Sequence, residues 1–405
     1  MVTSPTVPTQ FISGSSGKLR TQSRCAGSLV YCFGVSNALS AVDDLIAKYG
    51  AAEQAGRAQV PNMAILAFGL DVFQAVGYPH RISSSRELWR YHDVMQDGRL
   101  EGNLGLLGSA MDGEVELVRR AADAIVDFSV STFGFASAGK DMLSRAVYQY
   151  SLLASVLKDE SRPWTIMEVG PGCGFLGVLL GLAGHRYVAL EASQAFWVYQ
   201  SSLFRHVFGD EYSDGLGQDE RRISHLAWWD FCSEASTLPR LTACTANHML
   251  GEMNPFGLVH LSRKLYATQT GSARILAEDL GLCRYTGDQE TLKRVVKSGF
   301  NATEIRRRVW LFTKTSSVGA VQAIPKEKPS LQNRVYEIRF LGPILRTAYR
   351  FVLQKTSTRR QQSFLATGSV DKGADDVARS SRVADVFTRL PEFRCADDRF
   401  VSGTW

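Results

Sequence analysis

Thr165-Ile166-Met167-Glu168-Val169-Gly170-Pro171-Gly172-Cys173-Gly174-Phe175-Leu176-Gly177 is the stretch from which the rest of the chain can be interpreted. An apolar, strand-like run carries an acid next to its end, breaks into alternating glycines and resumes as an apolar, helix-like run. Glycine lets a backbone turn tightly and approach a ligand with no Cβ in the way. The helix that follows points unpaired N–H groups into the same space. A strand, a glycine loop and a helix in that order build a nucleotide-cofactor site on a doubly wound α/β sheet.

Downstream of Trp164 the rhythm is that of alternating short strands and helices, which predicts a parallel sheet with right-handed crossovers. Strands are expected at residues 165–169, 185–190, 222–226, 241–245 and 273–277. A helix is expected at 290–298, stopped by Gly299, with two closing strands at 302–306 and 309–313. Upstream, residues 36–55, 62–76, 114–128 and 140–157 have helical periodicity and little strand-like alternation.

The glycine loop satisfies two registers. Counted from Gly172 it reads G-x-G-x-x-G through Gly174 and Gly177, the dinucleotide spacing, with Glu191 about where a ribose-binding acid belongs. Counted from Glu168 it reads E-x-G-x-G-x-G and resembles the first motif of class I S-adenosylmethionine (SAM)-dependent methyltransferases. Glu191 then ends the second strand, where that family places its ribose carboxylate. Charge favours the second register. An acid just before the loop would repel a pyrophosphate, whereas SAM carries a sulfonium and an ammonium. An NAD(P)-dependent oxidoreductase, or a non-catalytic protein keeping the cofactor fold, remains the alternative.

The resemblance spans roughly residues 164–314 and implies a Rossmann-like, seven-stranded methyltransferase sheet whose last two strands form an antiparallel edge. It implies SAM as cofactor, held by Glu168, Gly170, Gly172, Gly174, Glu191, Trp229, Asp230 and Asn247. In Trp228-Trp229-Asp230 an aromatic beside an acid suits adenine, and core packing with a surface acid is the competing explanation. The segment Asn247-His248-Met249-Leu250-Gly251-Glu252-Met253 is similar to the sugar O-methyltransferase group, as is the aromatic run Phe196, Trp197 and Tyr199 after Glu191. His248 departs from that group's pattern. A near-neutral imidazole suits removal of a hydroxyl proton, so His248 is the expected base, with Glu252 as base or as orienter of the imidazole. Trp89, His92, Arg145, Tyr148 and Tyr150 are candidates to line an acceptor pocket under the helical half.

Four regions follow: a disordered tail at 1–35, a helical cap at 36–160, the cofactor domain at 161–315 and an extension at 316–405. The tail has no acid before Asp43 and is rich in Ser and Thr, a composition shared with organelle transit peptides. Its resemblance to an ordinary tail is the closer one, and a cytoplasmic location is expected. In the extension, seven basic residues and one acid between Arg334 and Arg360 equal the whole chain's formal charge of +6. With no aromatic platform beside it, this stretch reads as a solvated face, so no nucleic-acid partner is expected. Residues 361–382 read as a polar, flexible linker.

Seven scattered cysteines without C-x-x-C spacing, and seven histidines without H-x-x-x-H, predict free thiols and no metal. No apolar run approaches the roughly 20 residues a membrane span needs. The expected partner is a small polar acceptor such as a sugar or polyol, and a homo-oligomer is compatible with the sequence.

Overall fold

Strand β1 (Thr165–Val169) occupies the middle of the sheet, hydrogen-bonded in parallel to β2 (Arg186–Glu191) on one side and β5 (Ala243–Asn247) on the other. All but its first residue are buried, as expected for an apolar strand covered on both faces. The computed structural model describes residues 23–60, 80–93, 100–106, 114–216, 221–233, 238–253, 255–268, 274–280, 288–314 and 374–392. The expected helix at 62–76, the basic stretch at 334–360, the linker up to 373 and residues 1–22 lie outside the described residues.

The sheet has eight strands in the order β3-β4-β2-β1-β5-β6-β8-β7. Strands β4 (Ile223–Ala227) and β6 (Arg274–Glu278) extend the parallel set, and β8 (Val309–Lys314) inserts antiparallel between β6 and β7 (Phe300–Arg306). This is the expected methyltransferase sheet with one strand added. The extra strand, β3, is only Tyr212–Ser213 at the edge beside β4, too short to leave a pattern in the sequence. β5 ends two residues later than expected, so Ala246 and Asn247 belong to the strand rather than to the loop after it.

Before the sheet, α1 (Ser23–Arg57), a 3-10 turn (Ser85–Tyr91), α2 (Leu100–Leu106), α3 (Val115–Phe133) and α4 (Lys140–Val156) form the helical cap. α1 begins well inside the region expected to be a tail. No proline interrupts residues 23–57, and extending an existing helix backwards is far easier than nucleating one.

The glycine loop leads into α5 (Phe175–Leu182), which is buried from Phe175 to Gly181 because α3 and α4 cover the side facing away from the sheet. β2 leads into α6 (Gln194–Phe208), which Ser193 caps by accepting from the Phe196 N–H. The cap is tied to that junction: Ser193 Oγ and the Ala195 N–H both donate to the His80 carbonyl, and Gln194 bonds both the N–H and the C=O of Ile82. Three helices complete the sheet region: α7 (Trp228–Cys232), α8 (Pro255–Thr268) and α9 (Asp288–Lys297).

The C-terminal part also departs from expectation. Residues 374–382, expected to belong to a flexible linker, open α10 (Ala374–Arg389). Its Val383, Val386 and Phe387 stand at helical spacing, are buried, and dock the helix on α2 and α3. One continuous apolar cluster thus runs from Val42 of α1 through the sheet to Phe387 of α10.

Phe387→Ala is expected to cost about 3 kcal/mol, the usual penalty for emptying an aromatic core site. Urea denaturation would measure it. Limited proteolysis should then cut first within α10, and unchanged stability would show that the helix does not dock.

Candidate functional site

The carboxyl ends of β1, β2, β5 and β6 converge where the strand order reverses, the place at which open α/β sheets bind ligands. Gly170, Gly172 and Gly174 all have positive φ, so the loop needs a left-handed conformation at every second residue. The Gly170 N–H continues the β1–β2 ladder to the Leu190 carbonyl, and Met249, from the segment after β5, lies directly over Gly170. A Cβ added at Gly172 would meet only Met142 Cε, at 3.7 Å, so this glycine is the one facing open space. Gly174 instead packs against Phe204 and Gln200 of α6 and caps α5.

Two buried carboxylates flank the loop. Glu168 accepts from the Tyr187 hydroxyl at 2.6 Å and from the Asn247 amide. Glu191 accepts from the Ser193 N–H at 2.7 Å, from Gln200 Nε2 at 3.3 Å and from the Ala192 and Gly172 N–H groups. Burial pushes each carboxyl up to about 7, against the pull of these hydrogen bonds. Every one of these donors is neutral.

Behind Glu191 runs a buried polar chain that sequence reasoning missed. Gln200 Nε2 donates to the Gly172 carbonyl at 2.6 Å as well as to Glu191, which turns its Oε1 toward His225 Nε2, 2.8 Å away. Nε2 of His225 therefore carries the proton, and Nδ1 accepts from the Tyr212 hydroxyl at 2.8 Å, itself 2.7 Å from Ser201 Oγ. Burial drives the His225 pKa down to about 3. The edge strand β3 thus reaches the glycine loop through Tyr212, His225 and Gln200.

Trp229 and Asp230 part company. Trp229 is buried, 5.4 Å from the Tyr49 ring of α1 and 5.7 Å from Trp228, while Asp230 is exposed. This is aromatic core packing with a surface acid, not an open stacking face, because α1 covers the indole.

At the other end of the site, His248 stands just after β5. Its Nδ1 lies 3.0 Å from Asp279 Oδ2, and its Nε2 contacts the Arg145 guanidinium projected by α4. Arg145 also pairs with Glu278 at 2.6 Å, and Arg308 pairs with Asp279. The carboxylate partner of the imidazole is therefore Asp279, not Glu252. Glu252 sits half-buried in the turn after Met249, its carboxyl pushed up to about 7 by burial. Burial and then Arg145 lower the His248 pKa, against Asp279 and Glu278. Burial raises Asp279, but His248, Arg308 and Arg145 outweigh it and hold the carboxyl below its ordinary range.

His248 (φ 60°), Asp279 (φ 53°) and Arg308 (φ 65°) are also the non-glycine residues with positive φ among the described residues. Left-handed backbone costs on the order of 1 kcal/mol per residue with a Cβ, and such conformations collect at functional sites. Each of the three follows a strand end or lies in the β7–β8 turn. Their backbones are stitched together as well: the His248 N–H donates to the Glu278 carbonyl and the Asp279 N–H to the Arg308 carbonyl, both at 2.9 Å.

His248, Glu278 and Asp279 bring potential metal-ligand atoms within 4.8 Å of one another. Arg145 and Arg308 already pair with the two carboxylates, so the set is charge-balanced as an ion network. A divalent cation would have to displace a guanidinium.

Of the five cap residues expected near an acceptor, α4 brings Arg145 and Tyr148 to this cluster, one on top of the other at i and i+3 with the guanidinium 5.8 Å from the ring. The other three are engaged elsewhere. His92 is buried between the Tyr199 hydroxyl and the Ser137 carbonyl, Tyr150 hydrogen-bonds Glu114, and Trp89 lies beside Arg90.

No protein-family model matches the chain, and no curated protein matches it significantly. Solved structures similar to it include the pyocyanin biosynthetic protein PhzM, at 13% identity over 51% of this chain and 71% of that one, with a TM-score of 0.29. The magnesium protoporphyrin IX methyltransferase ChlM from Synechocystis with bound SAH is 11% identical over 48% of this chain and 94% of that one, with a TM-score of 0.32. A TehB-like SAM-dependent methyltransferase from Corynebacterium glutamicum is 15% identical over 42% and 97%, with a TM-score of 0.30. Among the described residues no helix is long and apolar enough to cross a membrane.

The polar chain behind Glu191 has a spectroscopic consequence. Long-range ¹⁵N–¹H spectra are expected to show His225 as the neutral, Nε2-protonated tautomer from pH 8 down to about pH 4, because its pKa is lowered to about 3. Gln200→Met should release that tautomer. A protonated His225 at pH 5.5 would refute the chain as described.

Proposed function

We propose that this chain is a SAM-dependent methyltransferase that moves the methyl group to a hydroxyl of a small polar acceptor. The observation that carries this reading is the pair of buried carboxylates, Glu168 and Glu191, on either side of the glycine loop with only neutral donors around them. A buried anion requires positive charge nearby or gives up its ionisation. A ligand with a sulfonium and an ammonium supplies that charge, and a pyrophosphate adds to the deficit. On this reading Glu168 and Asn247 serve the amino-acid half of SAM, Glu191 serves the ribose hydroxyls, and Gly172 supplies the open face. Trp229 and Asp230 drop out of the cofactor set, because one is covered and the other faces solvent.

When bound, SAM supplies an electrophilic methyl on a positively charged sulfur. The chain's own residues then orient and deprotonate the acceptor. His248 follows β5 at the sheet's carboxyl edge, and Asp279 holds its Nδ1 side. That leaves Nε2 as the nitrogen able to take a hydroxyl proton.

Equilibrium dialysis against labelled SAM and NADH is the direct test. SAM is expected to bind, and Glu168→Gln and Glu191→Gln are each expected to weaken it about tenfold or more, the scale of one charge-assisted hydrogen bond. NADH binding without SAM binding would end this reading. His248→Gln should lower turnover about a hundredfold while leaving SAM affinity within about twofold.

A pH dependence follows from the same two groups. Their folded pKa of about 7 lies above the ordinary carboxyl value. The stability they contribute to the unliganded fold is therefore complete below the unfolded pKa and is lost as the pH rises through 7. Binding of a cation has the opposite sign, because it needs the ionised forms. SAM affinity is expected to rise roughly tenfold per group between pH 6 and 8, with release of protons. Calorimetry in buffers of different ionisation enthalpy measures that release, and proton uptake would contradict it.

A further inference from the structure

The methyltransferase reading leaves open what kind of hydroxyl compound the strained cluster at His248 accepts. Resting on that reading, we propose that the cluster selects an acceptor carrying an anionic oxyacid group, a carboxylate or a phosphate, which Arg145 binds and which thereby frees His248 to act.

The inference starts from hydrogen-bond capacity. A guanidinium only donates, so the His248 nitrogen facing Arg145, Nε2, must hold its lone pair. The proton then sits on Nδ1, 3.0 Å from Asp279 Oδ2, where a carboxylate can accept it. The Arg145 side fixes the tautomer. Its basic nitrogen is the one a catalytic imidazole needs, and it is masked. A lone pair already taken by Arg145 cannot receive a hydroxyl proton, so Arg145 has to leave the imidazole before transfer.

What draws it away is a matter of charge. Arg145 pairs with Glu278 at 2.6 Å through Nη2, and the same nitrogen contacts the neutral Nε2 of His248. An arriving oxyanion competes with that neutral acceptor through paired, charge-assisted bonds, and such bonds are the stronger. A neutral polyol offers nothing comparable. The surroundings tolerate the added negative charge. Asp279 is already answered by Arg308, and Arg306 brings a further cation to the same face through its hydrogen bond with Tyr148, which also stacks on Arg145. Arg145, Arg306 and Arg308 outnumber Glu278 and Asp279.

With Arg145 on the acceptor's anion, Nε2 faces the neighbouring hydroxyl. The acceptor oxygen forms its bond to the methyl carbon, the carbon–sulfur bond breaks with its electron pair staying on sulfur, and the hydroxyl proton goes to Nε2. The resulting imidazolium is held by Asp279. A single residue thereby couples recognition of the acceptor's charge to exposure of the base.

The test uses the full chain with methyl-labelled SAM and a small-molecule extract, the labelled products being separated on an anion exchanger and then treated with phosphatase. Label is expected in the retained fraction. Phosphatase would move a phosphorylated product to the unretained fraction and leave a carboxylate product in place. Arg145→Gln is expected to cut labelling about tenfold or more with SAM affinity unchanged, and Arg145→Lys to recover part of the loss. Label confined to the neutral fraction, or retained label undiminished in Arg145→Gln, overturns the anionic acceptor and leaves methyl transfer standing. SAM bound with no label in either fraction overturns both hydroxyl transfer and this subsite. A chain that binds no SAM fails at the earlier step, the cofactor itself.

Discussion

A strand hydrogen-bonded on both sides has no free edge, so the chain leaving its carboxyl end can only turn up and over the sheet. β1 is in that position, locked to β2 from Thr165 to Val169 and to β5 from Ile166 to Glu168. The glycine loop is the consequence, since successive left-handed residues are needed to leave the strand and start α5 within a few residues. The same double pairing puts Glu168 level with Ala189 of β2 and Thr245 of β5, hence beside Tyr187, Asn247 and the space before the loop. Shifting β1 by one residue would turn Glu168 to the other face of the sheet. The buried carboxylate would lose both donors.

Much of this was readable along the chain. The period of the strands, the acid before the glycines and the acid ending β2 are local signals, and all three fall where they were expected. What was not readable depends on contacts between distant residues. Gln200 looks like one polar residue on an aromatic helix, and only folding brings its amide between Gly172, Glu191 and His225. Asp279 reads as the end of an ordinary strand, and Arg308 as one of three consecutive arginines in a hairpin. Their left-handed conformations are imposed by the stitching of β5, β6 and β8, and no residue type announces them. Glu252, near in sequence, reads as a base or as the orienter of the imidazole. Asp279 holds that place because β6 is β5's neighbour in space.

The cap shows the same division from the other side. Its helices were visible as periodicity, but periodicity says nothing about which neighbour each face meets. His92 and Tyr150 read as pocket-lining residues and Trp229 as a face for adenine, and all three are used up in packing or buried hydrogen bonds. Arg145 and Tyr148 differ because α4 brings Arg145 to Glu278 at the end of β6 and to His248 just after β5. Arg145 reaches the strained cluster, and Tyr148 stays buried in the core with its ring beneath the guanidinium.

The two ends of the site therefore solve opposite electrostatic problems. At the glycine loop, burial leaves two carboxylates with neutral donors only. At His248 the charges are already paired, and the tension lies in geometry and in an imidazole whose lone pair faces Arg145. The carboxylates near the loop ionise less readily than ordinary ones, and the imidazole's lone pair faces Arg145. On the proposed reading, a cation answers the carboxylates near the loop and an anion draws Arg145 off the imidazole, so each ligand prepares its own half.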